Sequence, residues 1–304
     1  MIGKTRSKMM KSKINIIGTI LLLSLSLFAC SNPSNTIDTN QQKIKANQEK
    51  PIKLAKRVVA LTPLAADLIY NLDKNKLVAV PNGRYTSKNT KFNELPRVGI
   101  RGNINLEKII ALQPDLVIGS ELFQSQALNR LKELGIDTIS HQTSSWSDLE
   151  NITKQLATRI DANPQPILNQ YKSFLANIPE NGESVLMLVS RVPVLSPNKN
   201  SWAGDLLNKF KYKNMTADLQ SNTRFQGYLT LSQEKILTAN PDKIFLIESD
   251  NINPDELKKL PFWNKLKATQ NNQVYLFHHD GLISPTSVDT VEEVTTQLRK
   301  VSKQ

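Results

Sequence analysis

The chain has 304 residues, 39% hydrophobic and 22% charged, with a formal net charge of +12. That length allows one large domain or two modest lobes. No dense Arg/Lys run and no aromatic-basic alternation accompanies the charge, which argues against a nucleic-acid partner. A single cysteine excludes an intrachain disulfide and a multi-cysteine metal site.

Residues 1–29 read as a secretory leader. Lys4, Arg6, Lys8, Lys11 and Lys13 form a basic stretch free of acids, and a mainly apolar run from Ile14 to Ala29 follows. The run is too short and too abruptly ended for a comfortable membrane span but suits a signal peptide. Subtracting those five cations from +12 leaves +7 for residues 30–304. The run closes on Leu27-Phe28-Ala29-Cys30, which resembles a bacterial lipobox. The resemblance implies that Cys30 is lipidated and holds the protein outside the cytoplasm, in a periplasm or at a cell surface. A cleaved leader with an incidental cysteine is the alternative. Residues 30–55, rich in Asn, Gln, Lys and Ser, read as a flexible tether.

The body is legible by comparison with itself. Asn105 to Ile118 (NLEKIIALQPDLVI) recurs as Ser232 to Phe245 (SQEKILTANPDKIF), with Glu-Lys-Ile leading at equal spacing to Pro-Asp and a β-prone run. Each copy predicts a brief helix, a turn and a buried strand, with Pro114 and Pro241 ending the helices. Further strands are expected at 57–61 and 136–139 and, correspondingly, at 184–189 and 273–277. Strands alternating with helices indicate α/β lobes with largely parallel sheets. The repeat predicts an N-terminal lobe over 56–146 and a C-terminal lobe over 181–304. Between them, 147–180 reads as one long linking helix with a break near Pro164 and Pro166, N-capped by Ser147 with Glu150 at the capping-box position.

Several stretches then carry a resemblance: Arg57 to Pro63 (RVVALTP), Leu95 to Gly99 (LPRVG), Trp202 to Leu207 (WAGDLL), and Trp263 to Tyr275, with both repeat copies between. In this order they resemble the helical-backbone class of periplasmic binding proteins, the ferric-siderophore, haem and cobalamin receptors of ABC importers. The resemblance implies two Rossmann-like lobes joined by a single long linking helix, a ligand cleft between them, little closing motion and no catalysis. It also implies an ABC permease and its ATPase as partners, with Glu107 and Glu234 docking on the permease. A monomer without a resident cofactor is expected.

Ligands of open α/β sheets bind beyond the carboxyl ends of the strands. The candidate cleft residues are therefore Thr62, Arg84, Tyr85 and Arg101 in the first lobe and Arg191, Trp202, Arg224, Tyr228 and His279 in the second. For Arg101 and Tyr228 the family resemblance points the same way. Arginines and aromatics in one groove suit an anionic, bulky, partly flat ligand, and a ferric siderophore is the expected ligand. Haem and cobalamin remain open. His141 and His278-His279 follow strands in the two lobes, so direct zinc or manganese binding is the lesser alternative; no metal site is expected. An enzyme is disfavoured by the lack of Gly-x-Ser-x-Gly, His-Glu-x-x-His and a glycine-rich dinucleotide loop.

Overall fold

The strand Val58–Ala60 is buried at every position, and Leu116–Ser120 at all but its last, because both faces of their sheet are covered. The computed structural model describes residues 53–191, 193–248, 255 and 258–304, without the side chains of 190 and 191. The leader over 1–29, Cys30 and the tether as far as residue 52 lie outside them. Ala55, expected in the tether, already belongs to the body: it is buried, and its N–H donates to the Arg159 carbonyl at 2.7 Å.

The first lobe contains β1 (Val58–Ala60), β2 (Leu77–Ala79), β5 (Leu116–Ser120) and β6 (Asp137–His141), parallel in the order β2-β1-β5-β6. Helices α1 (Pro63–Asp73), α2 (Arg84–Lys88), α3 (Leu106–Ala111) and α4 (Glu121–Glu133) complete it, with a hairpin of β3 (Gly99–Ile100) and β4 (Asn103–Ile104). The second lobe repeats the plan. Its strands β7 (Ser184–Leu188), β10 (Lys213–Asn214), β12 (Lys243–Glu248) and β13 (Val274–His278) lie parallel in the order β10-β7-β12-β13. Around them are α7 (Trp202–Lys209), α8 (Gln233–Ala239), α9 (Val288–Val301) and a small antiparallel sheet of β8 (Ser190–Arg191), β9 (Val194–Pro197) and β11 (Tyr228–Thr230). Two lobes with mostly parallel sheets are thus present.

The duplicated motif has the same structural meaning in both lobes. Asn105 and Ser232 cap α3 and α8 by accepting the N–H of Lys108 and of Lys235. Ile109 and Ile236 then bury against the outer faces of the two sheets. The Pro-Asp carboxylates reach further than the turn expected for them. Asp115 accepts the N–H groups of Lys56 and Arg57 at 2.9 Å, and Asp242 accepts the Ser184 N–H and hydroxyl at 2.9 and 2.7 Å. Each ties the repeat to the start of its lobe's first strand.

The segment 147–180 corrects the expectation of one helix. It contains two, α5 (Trp146–Arg159) and α6 (Gln165–Phe174). The cap is Ser145, not Ser147: Ser145 Oγ accepts the Asp148 N–H at 3.1 Å, and the earlier start buries Trp146. Asp161, at φ 51, ends α5 in a left-handed turn, with Ala162 N–H donating to the Ala157 carbonyl at 2.9 Å. Pro164 and Pro166 then start a second helix and could not continue the first. The arm folds back, so that Tyr171 meets Trp146 edge-on at 5.8 Å and Thr153 at 3.3 Å.

One apolar cluster spans both lobes, from Val58 and Ile118 through Trp146, Tyr171 and Trp202 to Met187 and Phe245. The inner faces of the two sheets therefore share a core.

Candidate functional site

The loops beyond the strand ends meet across the lobe boundary. Gln142, just after β6, donates to Gln226 of the second lobe at 3.0 Å, and Arg84 at the start of α2 pairs with Asp280 at 3.1 Å. Trp146 stacks on Trp202, with centroids 5.9 Å apart and planes 8° from parallel, and the Trp146 backbone N–H donates to Asp205 at 2.8 Å. Asp67 of α1 accepts the Val288 N–H at the start of α9 at 2.9 Å.

These contacts explain the Trp202-Ala-Gly-Asp motif and correct the reading of Trp202. Its ring is only 2% exposed, sandwiched against Trp146, with Nε1 donating to the Gly281 carbonyl at 2.7 Å. It presents no face to a ligand. Gly204 is needed because a Cβ there would lie 1.9 Å from the Asn198 carbonyl oxygen, and Asp205 makes the bond to Trp146. The motif joins lobes.

Tyr85 is tied within its own lobe to Asp67, the residue that crosses to Val288. Its hydroxyl donates to Asp67 at 3.0 Å, and the fully buried Asp67 also takes Lys91 and Asn71. Burial first, and the Asp67 charge second, push the Tyr85 hydroxyl upward from its ordinary pKa. Thr62 caps α1 through the Ala65 N–H at 3.2 Å, and its hydroxyl lies 3.0 Å from His141 Nε2. Thr143 stands 3.3 Å from His141 Nδ1. Burial lowers the His141 pKa to about 4, so the ring is neutral at physiological pH, with Nε2 free to accept from Thr62. Tyr228 is half-buried with its hydroxyl 3.4 Å from the Ile283 carbonyl.

The arginines divide. Arg84 crosses to Asp280, whose carboxyl is held below the usual range by the His279 hydrogen bond first and by Arg84 as well. Arg101 and Arg224 are exposed and have no carboxylate partner among the described residues. Each lies over a phenylalanine: Arg101 is 5.4 Å from the centre of the Phe123 ring and Arg224 4.8 Å from that of Phe225. The Arg191 side chain lies outside the described residues. His278 is 82% exposed and stands 3.7 Å from Glu248, while His279 is 3.6 Å from Asp280. Among the described residues no three His, Cys, Asp or Glu side chains gather as a metal site requires.

The sequence reading missed Phe123, Phe225, Gln142 and Gln226. A signal existed for the first. Leu122 and Phe123 lie in the first turn of α4, off the buried stripe of Gln124, Leu128 and Leu131. Glu107 and Glu234 both occupy the second position of their helices, exposed and unpaired among the described residues.

No described helix is long and apolar enough to cross a membrane. The family model for periplasmic binding proteins matches residues 58–280. An uncharacterized ABC transporter substrate-binding lipoprotein of Bacillus subtilis, YvrC, is 26% identical over 95% of this chain and 98% of its own length. A vitamin B12-binding protein of Vibrio cholerae is 28% identical over 82% of this chain and 91% of its own. The iron-uptake system-binding protein of Bacillus subtilis is 24% identical, with coverages of 89% and 92%. Among solved structures, a possible iron-binding periplasmic solute-binding protein of Staphylococcus epidermidis superposes with a TM-score of 0.68 at 20% identity, covering 83% of this chain and 100% of its own. Duplicated parallel sheets and a family-model match over most of the chain agree. This chain belongs to the periplasmic binding protein family, as a substrate-binding protein of an ABC transporter and not an enzyme.

Proposed function

We propose that this protein captures a ferric siderophore between its lobes, delivers it to an ABC permease, and is held at the membrane by a lipid on Cys30. The observation that carries the ligand reading is the pair Arg101 and Arg224. Each lobe contributes one exposed guanidinium with no carboxylate partner among the described residues. An uncompensated guanidinium pairs well with carboxylate, catecholate or hydroxamate oxygens. A metal held inside its own chelator fits such a cleft better than a bare ion does. Arg191 is proposed as a third cation from the β8–β9 hairpin. The relative named for iron uptake supports the reading, and those named lipoproteins support the anchor.

Cobalamin is the second reading, favoured by the Vibrio relative at 28% identity. Calorimetry separates the two. A ferric siderophore should bind while cobalamin does not, and Arg101→Ala or Arg224→Ala should each weaken binding about tenfold, as expected for loss of a charge-assisted hydrogen bond. Cobalamin binding that ignores both substitutions would replace the ferric reading.

A further inference from the structure

The strand starts of the two sheets, opposite the strand ends where the candidate residues lie, form one face. Helix α5 begins beyond β6 and leads to Ile160, whose carbonyl accepts from Lys76 just ahead of β2. Helix α6 then crosses to the other lobe, where the Phe174 carbonyl accepts from Arg299 Nη2 at 2.6 Å. Beside it α9 ends, with the Val301 carbonyl 3.4 Å from Nζ of Lys243, the first residue of β12. Ten residues of helix thus join the bases of the two sheets. The described chain also enters here, where the Lys53 carbonyl accepts from Arg159 Nε at 3.2 Å.

This face is strongly basic. Its acids mostly have partners: Asp73 pairs with Lys76 at 3.6 Å, Asp137 with Arg159 at 3.0 Å, Glu180 with Lys211 and Asp242 with Lys267, and Asp161 is the exposed exception. Lys53, Lys56, Lys172, Lys209, Lys213 and Lys303 are left over, all exposed and with no carboxylate partner among the described residues. A lysine in a last helical turn complements the helix dipole, which accounts for Lys172 and Lys209. It does not account for Lys53, Lys56 and Lys213, which stand ahead of β1 and at the start of β10. On the strand-end side the signs are mixed: Glu107 neighbours Lys108, Glu234 neighbours Lys235, and Arg84 meets Asp280.

Resting on the lipid-anchor reading, we propose that this basic face lies on the membrane, its lysines against the phosphates of anionic phospholipids, and that the strand ends are thereby held outward for capture. Two observations commit the face to that occupant. The first is charge: cations within a Debye length of an anionic bilayer are attracted to it, and several on one rigid face act together. The second is where the chain enters. Residues 31–52, 22 in number, separate Cys30 from Lys53 on this face. Such a length extends to about 75 Å at most, enough for the body to turn over, as presenting Glu107 and Glu234 to a permease requires.

The experiment uses residues 30–304, the chain after removal of its leader, which hold every described contact. Without acyl groups, the protein is sedimented with vesicles of phosphatidylglycerol and phosphatidylcholine, and with phosphatidylcholine alone. The expected result is binding to the anionic vesicles only, lost as salt rises. Lys172→Gln, Lys209→Gln and Lys213→Gln together should weaken it about tenfold or more. Lys88→Gln, Lys108→Gln and Lys235→Gln together remove the same charge from the strand-end side and should weaken it by less than about twofold. Melting temperatures serve as the control for folding. Equal loss in both triple variants would reduce the effect to net charge and overturn the inference, as would binding no tighter than to phosphatidylcholine. With the lipidated protein in the anionic vesicles, a dye on Ser173→Cys of α6 should lie nearer the headgroups than one on Ser125→Cys of α4. Equal or reversed distances would overturn the outward orientation. The sedimentation uses no lipid on Cys30, so an unlipidated Cys30 in cells would overturn the anchor reading without changing its outcome.

Discussion

At the scale of single residues, the boundary between the lobes is built from polar groups that have specific partners. Asp67 holds four at once: Asn71, Tyr85, Lys91 and the first N–H of α9. Its sequence context, an aspartate inside an apolar helix, marks it as unusual but does not say what it holds. His141 is the residue with a pH signature. Its folded pKa of about 4 lies below the ordinary 6.5 because burial penalises the cation. The unfolded chain therefore takes up this proton first. The stability contributed by keeping His141 neutral is complete above pH 6.5 and drains away as the pH falls towards 4, to a limit of about 3 kcal/mol. Chemical denaturation across that window should show a steeper loss for the wild type than for His141→Gln. Parallel curves for the two proteins would show that His141 titrates normally.

At the scale of elements, the Pro-Asp turns are the joints that make each lobe close. Asp242 gathers the Ser184 amide and hydroxyl together with Lys267. Lys267 first, and Ser184 after it, hold the carboxyl down at about 2. Because that value is below the ordinary 3.8, the stabilisation is present above pH 3.8 and disappears as the pH falls through about 2. Lys267 is more than half exposed and contributes little by itself, whereas an unanswered Ser184 N–H does cost stability. Asp242→Ala should destabilise by about 1–3 kcal/mol in urea unfolding, and Asp115→Ala, which frees the Lys56 and Arg57 amides, by a similar amount. Lys267→Ala should move the midpoint far less. Equal effects of Lys267→Ala and Asp242→Ala would place the stabilisation in the ion pair instead of the backbone clamp. The break between α5 and α6 belongs to this scale too. Its prolines were visible in the sequence, but the turn that folds the arm back depends on Asp161 and on packing of Tyr171 against Trp146.

At the scale of the whole molecule, the shared core and the Trp146–Trp202 stack oppose a wide hinge motion, since opening the lobes would expose the rings that join them. A nearly rigid body suits recognition by orientation. Glu107 and Glu234 sit at equivalent positions of α3 and α8, exposed and with no partner among the described residues. An acid in a first helical turn also complements the helix dipole, typically by 0.3–1 kcal/mol. We propose that the pair docks on two like sites of a permease, where such charges steer and orient. The double change Glu107→Ala with Glu234→Ala should leave ligand affinity and melting temperature nearly unchanged while uptake into reconstituted vesicles falls sharply. Uptake equal to wild type would reduce both residues to helix-terminus acids.

The sequence by itself determined the duplication, the α/β lobes, the positions of four strands outside the repeats to within about two residues, and the equivalence of Glu107 and Glu234. These are written in short-range patterns: a cap three residues before its N–H, an apolar run of strand length, a proline that stops a helix. Only the tertiary structure decided which candidate side chains are taken up by partners within the protein. Trp202 looked like a cleft aromatic and became an interlobe fastening, while Tyr85 is tied by its hydroxyl to Asp67 of its own lobe; their partners stand 56 and 18 residues away in the chain, at Trp146 and Asp67. Arg84 and Asp280 are 196 residues apart and Asp67 and Val288 are 221 apart. No local periodicity encodes such meetings. They follow from how two sheets sharing one core bring their strand ends together, and that packing leaves Arg101 and Arg224 over their phenylalanines, without carboxylate partners among the described residues.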